Sequence, residues 1–285
     1  MKLTERISLT KDLLKAAYRG DVDELNKLTS LGVDVNDALD DGVTPLMMAA
    51  RSDKADAVKF LINSGADVNA EDNDGNSVLF RMFELPTSYS SELFLSIINA
   101  GVNLKKHGSR GRSLLSAIAS GKNIELLNIL IATGIDVNEV DNYGYTALTF
   151  ALPRDSSEYR LEQSLAMTNA LINAGADVNH ADAEGVSILM KCCECDSSRY
   201  GYGAKALNIL IKAGADINVQ DIYGRTALMH AAGEGRCCGW IRDIISAGAN
   251  PYIKDNKGLS LIDMLHDTSK FFGTTCSNLR RQLNK

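Results

Sequence analysis

Two glycines held at a constant distance constrain this chain more than any other feature. The segment Gly65-Ala66-Asp67-Val68-Asn69 recurs with variations at Gly32, Gly101, Gly134, Gly175, Gly214 and Gly248. A second glycine, followed two residues later by Thr or Ser, stands at Gly42, Gly75, Gly111, Gly144, Gly185, Gly224 and Gly258, always ten residues after the first. Successive copies are 33, 36, 33, 41, 39 and 34 residues apart. A period near 33 is the mark of stacked repeats, in which each unit buries its apolar face only against its neighbours. Because the ten-residue part never changes, the extra residues fall in the other half of each repeat, at about 84–91, 152–164 and 194–204. One edge of the repeat has fixed geometry, and the opposite edge accommodates insertion.

The half of the repeat before the first glycine carries apolar residues seven, four and three positions upstream: Val58, Leu61 and Ile62 in one copy, Leu127, Leu130 and Ile131 in another. That spacing predicts a helix with this stripe turned inward. The glycine that follows is suited to close its C-terminus. After the second glycine, Thr44, Ser77, Ser113, Thr146, Ser187, Thr226 and Ser260 keep a hydroxyl, as the N-cap of a short first helix requires. Each repeat therefore reads as a short helix, a turn, a second helix, a glycine stop and an extended connection.

Thr44-Pro45-Leu46-Met47-Met48-Ala49-Ala50, running on to Gly65-Ala66-Asp67-Val68-Asn69, resembles the ankyrin repeat, and the likeness covers nearly the whole chain. Asp72, Asp141, Asp182, Asp221 and Asp255 supply the family's Asp-x-x-Gly turn. The His that often follows Thr-Pro-Leu in the family is absent; Met47, Phe80, Ser116, Thr149, Met190, Met229 and Asp263 stand there. The resemblance implies an all-α solenoid of stacked helix-turn-helix repeats with β-hairpin-like connections, read as one domain over residues 1–285. Within it, 10–38 is expected to be an N-terminal capping unit, 39–71, 72–107, 108–140, 141–181, 182–220 and 221–254 internal repeats, and 255–285 a C-terminal cap. The last helix of that cap is expected at residues 277–284.

Composition excludes several classes of function. The chain has 285 residues, 45% of them apolar and 23% charged, with net charge −6. That apolar share is too high for disorder. No stretch has the length and apolarity of a membrane span, and the first residues lack the apolar segment of a secretory signal. A cytoplasmic protein is expected. Nucleic-acid surfaces draw affinity from clustered Lys and Arg, which the acidic balance argues against. Six cysteines in uneven clusters do not suit a disulfide-stapled scaffold.

A stack of repeats builds an extended concave face, a geometry for binding rather than catalysis. In the family, hairpin tips and first helices form the recognition surface. Carried over by position, the candidate partner-binding residues are Met48 in the first full repeat, Arg81 in the second, and Arg110 and Arg112 in the third. They continue as Tyr143, Tyr145 and Phe150, then Lys191, then Tyr223, Arg225 and His230. Exposed aromatic, Arg and Met side chains bury much area at small entropic cost, so Tyr143, Tyr145, Phe150, Tyr223, Arg225 and His230 are the expected centre of binding. Tyr89, Tyr159, Tyr200 and Tyr202 fall in the enlarged turns and suggest a second contact edge there. The third connection is basic, with Lys105, Lys106, Arg110 and Arg112. It lacks both the turn Asp and the preceding Asn, so a less rigid tip that steers an acidic segment is expected.

Chemistry is sparse. Cys192, Cys193 and Cys195, with Cys237 and Cys238 in the next repeat, invite a metal or redox reading. However, they lack the Cys-x2-Cys spacing of zinc modules, and Cys192 and Cys193 align with Ala49 and Ala50, small residues of a packed helix. The four histidines are scattered, and no nucleophile elbow, phosphate loop or His-x3-His occurs. The expectation is a monomeric, non-catalytic scaffold without cofactor or resident metal, binding a protein partner and neither nucleic acid nor membrane. A regulatory or secreted effector using the same surface, and a metal- or redox-responsive binder using the cysteines, are the alternatives.

Overall fold

The computed structural model describes residues 3–83, 89–121, 123–152, 158–194, 202–233 and 238–267. They fall into two compact bodies, Met1–Asp136 and Val137–Lys285.

The first body pairs α1 (Leu3–Arg19) with α2 (Val22–Ser30), α3 (Pro45–Arg51) with α4 (Ala55–Asn63), α5 (Val78–Met82) with α6 (Ser91–Asn99), and α7 (Leu114–Gly121) with α8 (Ile124–Ala132). First helices pack on first helices, α1 on α3, α3 on α5 and α5 on α7; second helices do the same, α2 on α4, α4 on α6 and α6 on α8. The second body repeats this architecture with α9 (Ala147–Ala151), α10 (Glu158–Asn173), α11 (Ile188–Glu194), α12 (Tyr202–Lys212), α13 (Ala227–Gly233), α14 (Cys238–Ser246) and α15 (Leu261–Asp267). There α9, α11, α13 and α15 form one layer, and α10 packs on α12 in the other. Both bodies are all-α solenoid stacks. Strand character among the described residues is confined to single antiparallel bridges, Glu71 to Ser77, Ala181 to Ser187 and Lys254 to Ser260.

The glycine stop works as the spacing predicts. Gly65 takes φ 90° after α4. The following amide, Ala66 N–H, then returns to Leu61 C=O at 2.9 Å, satisfying a terminal carbonyl. The inward stripe is shifted by one column from the expectation. Val58, Leu61, Leu127 and Leu130 are fully buried, but Ile62 and Ile131 are half-buried. The third buried column lies eight residues before the glycine, at Ala57, Leu93, Leu126, Met167 and Ala206. Both stripes satisfy the helical period; the flanking layer decides which one is covered.

Hydroxyl capping holds in part. Thr44 accepts the Met47 amide at 3.3 Å, Ser113 that of Ser116 at 3.2 Å and Ser187 that of Met190 at 3.3 Å. Ser260 and Asp263 cap reciprocally, the Asp263 carboxylate accepting from both Ser260 N–H (2.8 Å) and Oγ (2.7 Å). Ser77 and Thr146 precede their helices without a side-chain cap. The expected helix at 277–284 lies outside the described residues.

Candidate functional site: the hairpin tips

Each of five hairpin tips is built around one carboxylate. Asp221 Oδ1 accepts the amides of Tyr223 (2.9 Å) and Arg225 (2.8 Å), while Gly224 N–H returns to Asp221 C=O at 2.9 Å. Asp72, Asp141, Asp182 and Asp255 hold their tips with the same pair of amides, all at 2.9 to 3.0 Å. A short polar side chain that binds its own backbone two residues on is what makes Asp a turn residue.

In three of these tips the other oxygen of the carboxylate faces inward and meets a base. Asp221 Oδ2 receives His230 Nε2 at 2.9 Å and Arg225 Nε at 2.9 Å. Asp182 Oδ2 receives Lys191 Nζ at 2.8 Å, and Asp72 Oδ2 pairs with Arg81. Burial pushes the Asp221 carboxyl up, but the Arg225 amide, the His230 ring and the Arg225 guanidinium together hold it below the usual carboxylate range. At Asp182 burial is likewise outweighed, by Lys191 and by the Val186 and Glu184 amides.

This pairing corrects the expectation that residues six positions after the second glycine are exposed contact residues. The Arg81, Lys191 and His230 side chains are only 14%, 18% and 4% exposed and close on carboxylates nine residues earlier. His230 is part of the core. Met48, without a turn Asp in its repeat, is half-buried. The signal is present in the sequence: Asp72 with Arg81, Asp182 with Lys191 and Asp221 with His230 are nine apart, and the hairpins with Leu39 and Gly108 in place of Asp carry Met48 and Ala117.

Of the aromatic candidates, Tyr145 and Phe150 are half-buried rather than exposed, and the other two are at the surface. Tyr143 and Tyr223 are each 52% exposed at their tips. Tyr143 stacks on Tyr145 (centroids 6.1 Å, 29° between planes), and Phe150 meets Tyr145 edge-on at 6.1 Å. Lys191 Nζ lies 4.7 Å from the Tyr145 centroid, and the Arg225 guanidinium 5.0 Å from that of Tyr223. The bases that neutralise the turn carboxylates therefore also brace the rings. Ile222 and Leu259, at positions that the family places on the surface, are exposed in the same body; sequence reasoning misses Val140 and Tyr252, which are exposed there too. Tyr252 is the less obvious of these two, because its position holds Asn in five other repeats.

Backbone contacts join successive tips. Ile222 N–H reaches Glu184 C=O at 3.1 Å and Asn256 N–H reaches Tyr223 C=O at 3.0 Å. A parallel ladder of Asn side chains, Asn138 to Gly175 and Asp177 and Asn179 to Gly214 and Asp216, fixes the register of the repeats within this body.

The third hairpin is different. Gly108 stands in place of the turn Asp, and a Cβ there would lie 2.5 Å from the Phe80 ring. Arg110 takes φ 66°, and Arg112 is half-buried with Nη2 donating to Ser116 C=O at 3.1 Å.

Away from the tips, Tyr89 corrects the idea of a tyrosine-lined second edge. It is 4% exposed and packs edge-on against Phe83, with its hydroxyl 3.5 Å from Arg51 C=O. Tyr200 and the side chains of Tyr159 and Tyr202 lie outside the described residues. Cys192 and Cys193 are buried in α11. Cys195, Cys237 and the side chain of Cys238 also lie outside the described residues. Among the described residues no three His, Cys, Asp or Glu side chains are grouped to hold a metal ion, and no helix is long and apolar enough to cross a membrane.

Paired helices in layers, with hairpins pinned by a carboxylate at their tips, define a stacked-repeat interaction module. The chain belongs to the ankyrin repeat family: the profile described as ankyrin repeats in three copies matches residues 13–83 and 157–255, more than half of the chain, and a second ankyrin profile matches 114–159. An ankyrin repeat domain from Acinetobacter baumannii is 30% identical with TM-score 0.61, over 72% of this chain and 98% of that one. The human ASB11 ankyrin repeat domain shares the fold with TM-score 0.66 at 20% identity, over 84% of this chain and 98% of that one. The potassium channel AKT2/3 of Arabidopsis thaliana is 31% identical over 137 residues, 48% of this chain but 16% of the channel. The chain spans less than a third of the length of this relative and of two others, the nuclear factor NF-kappa-B p105 subunit of Gallus gallus and the L-asparaginase of Dirofilaria immitis. Ankyrin repeats generally serve as non-catalytic modules for protein–protein interaction.

Proposed function

We propose that this chain is a non-catalytic, monomeric scaffold that holds a protein partner against the hairpin tips of residues 137–285, with Tyr143 and Tyr223 at the centre of contact. The observation that carries this reading is the pair of half-exposed tyrosine rings on tips whose backbones are already pinned. A ring held by Tyr145 or Arg225 loses little freedom on binding, so its buried area goes into affinity. Asp221 and Asp182 with their bases form the support beneath, and Ile222 adds apolar area beside Tyr223.

The test is recovery of partners from a lysate by the wild-type chain and by a Tyr143→Ala/Tyr223→Ala variant. Loss of two anchors of hot-spot size, about 2 kcal/mol each, is expected to remove the partner from the eluate. The urea midpoint of the variant should stay close to that of the wild type, since both rings are at the surface. Equal recovery of every partner by both proteins would refute the assignment.

A further inference from the structure

We propose that the third hairpin, Lys105 to Arg112, is a separate docking point for a short acidic segment of a partner protein. In the repeats of Asp72, Asp182 and Asp221 the turn carboxylate takes up cations of its own repeat: Arg81, Lys191, Arg225 and His230 all close on one. The third hairpin has no such carboxylate. The Phe80 ring from the preceding repeat lies against Gly108, so a side chain at position 108, an aspartate included, would have to displace that ring.

What remains is a tip rich in positive charge. Lys105 and Arg110 are exposed and, among the described residues, have no ion partner. Lys106 is paired with Glu71 of the preceding hairpin, and Arg112 is held by Ser116 C=O. The tip still closes in one geometry, with Gly108 N–H on Arg112 C=O at 2.9 Å and Gly111 N–H on Gly108 C=O at 3.2 Å. The cations are thus presented on a formed turn.

The flanking charge selects the size and class of the ligand. The two preceding hairpins expose Asp40, Asp41 and Asp74, while Asp72 is buried against Arg81 and Glu71 is paired with Lys106, and Asn73 N–H is bonded to Asp41 C=O (3.0 Å). An extended phosphate backbone running along this edge would meet those carboxylates. A few acidic residues on one protein segment satisfy the single basic tip without reaching them, and like-charge contact rejects longer polyanions.

The experiment is fluorescence anisotropy on the full chain with a short fluorescein-labelled peptide of alternating Glu and Asp. Saturable binding is expected, weakening between about 50 mM and about 200 mM salt as the screening length shortens. A Lys105→Glu/Arg110→Glu variant, altered only at exposed side chains and keeping the wild-type circular dichroism and melting curve, should bind about tenfold or more weakly. Phe80→Met with Gly108→Asp rebuilds the turn found elsewhere and should also weaken the peptide, although every cation is retained, because the introduced carboxylate cancels part of the positive charge of the tip. Tyr143→Ala/Tyr223→Ala should leave peptide affinity unchanged, which separates this surface from the aromatic tips. No binding by the wild type, equal affinity of the Lys105→Glu/Arg110→Glu variant, or tighter binding of a single-stranded oligonucleotide of similar length overturns the proposal, the last by giving the tip to nucleic acid.

Discussion

The hairpin carrying Asp221 and the one carrying Gly108 share the same ten-residue spacing and are closed by the same two backbone hydrogen bonds. They differ in one carboxylate, and almost everything else about them follows from it. Asp221 pins two amides, draws His230 into the core and holds Arg225 against Tyr223, so its cations become structure and its aromatic ring faces outward. At Gly108 no side chain pins the amides. The second residue after it, Arg110, moves into the left-handed region, which among the described non-glycine residues only Asp53 otherwise occupies. A basic residue in this fold is read correctly only together with the turn residue before it.

The sharpest way to break the comparison is to remove the carboxylate from the tip that has one. Asp221→Ala leaves buried His230 without its acidic partner and frees the two turn amides, so a loss of about 3 to 5 kcal/mol is expected. The equivalent change at partly exposed Asp255, where the residue six beyond the glycine is Met264 rather than a base, should cost about 1 kcal/mol. Urea midpoints of the two variants test this, and equal losses would mean that the inward base contributes nothing. Acid should do the same as substitution. The Asp221 and Asp182 carboxyls are held low in the folded chain, so their contribution is complete above the ordinary carboxylate pKa of about 4 and disappears as pH falls through the lower folded values. The midpoint of Asp221→Asn should fall less steeply over that acid range than that of the wild type.

A second break acts on the stacking of tips. Gly224 has φ 77°, and a Cβ there would lie 2.6 Å from Asn256 Oδ1 and 2.8 Å from its amide. Gly75 has the same φ but open space around it. Gly75→Ala should therefore cost only the left-handed strain, about 1 kcal/mol, whereas Gly224→Ala should cost about 2 to 3 kcal/mol as the neighbouring hairpin is pushed away. Thermal melts of both variants would show whether tip-to-tip contact is as rigid as the bond from Asn256 to Tyr223 implies.

Much of this is legible in the residues. The constant interval between glycines sets the phase of every helix, and the Asp-x-x-Gly tips follow from turn chemistry alone. The inward column of α4 lies one position away from the expected one because Ala57 and Ile62 satisfy the helical period equally well, and only the neighbouring second helices show that Ala57 is the covered one. Family position assigns His230 to the contact surface, yet its side chain is in the core. Its partner, Asp221, lies nine residues away across a hairpin and a helix start, so no helical or strand period connects them. Tyr89 differs from expectation for a similar reason: an inserted turn looks exposed in sequence, and the contact of its hydroxyl with Arg51 C=O, from the preceding repeat, is not local.

The smallest effect is expected where the turn has no carboxylate. Arg110, at φ 66° and ψ 22°, has a side chain in a backbone region that only glycine enters at no steric cost, with a penalty of about 1 kcal/mol. Arg110→Gly removes that penalty but gives the unfolded chain more freedom, which offsets part of the gain, so a net stabilisation of about 0.5 kcal/mol is expected. The same substitution at Tyr223, the matching position of the Asp221 hairpin, has no positive φ to relieve and loses the ring under Arg225, so it should destabilise by a similar amount. Opposite signs in the two melts would establish that the Asp side chain, rather than the ten-residue frame, sets the backbone of the tip. Equal signs would assign the left-handed Arg110 to the frame, and the contrast between the two hairpins would then rest on charge alone.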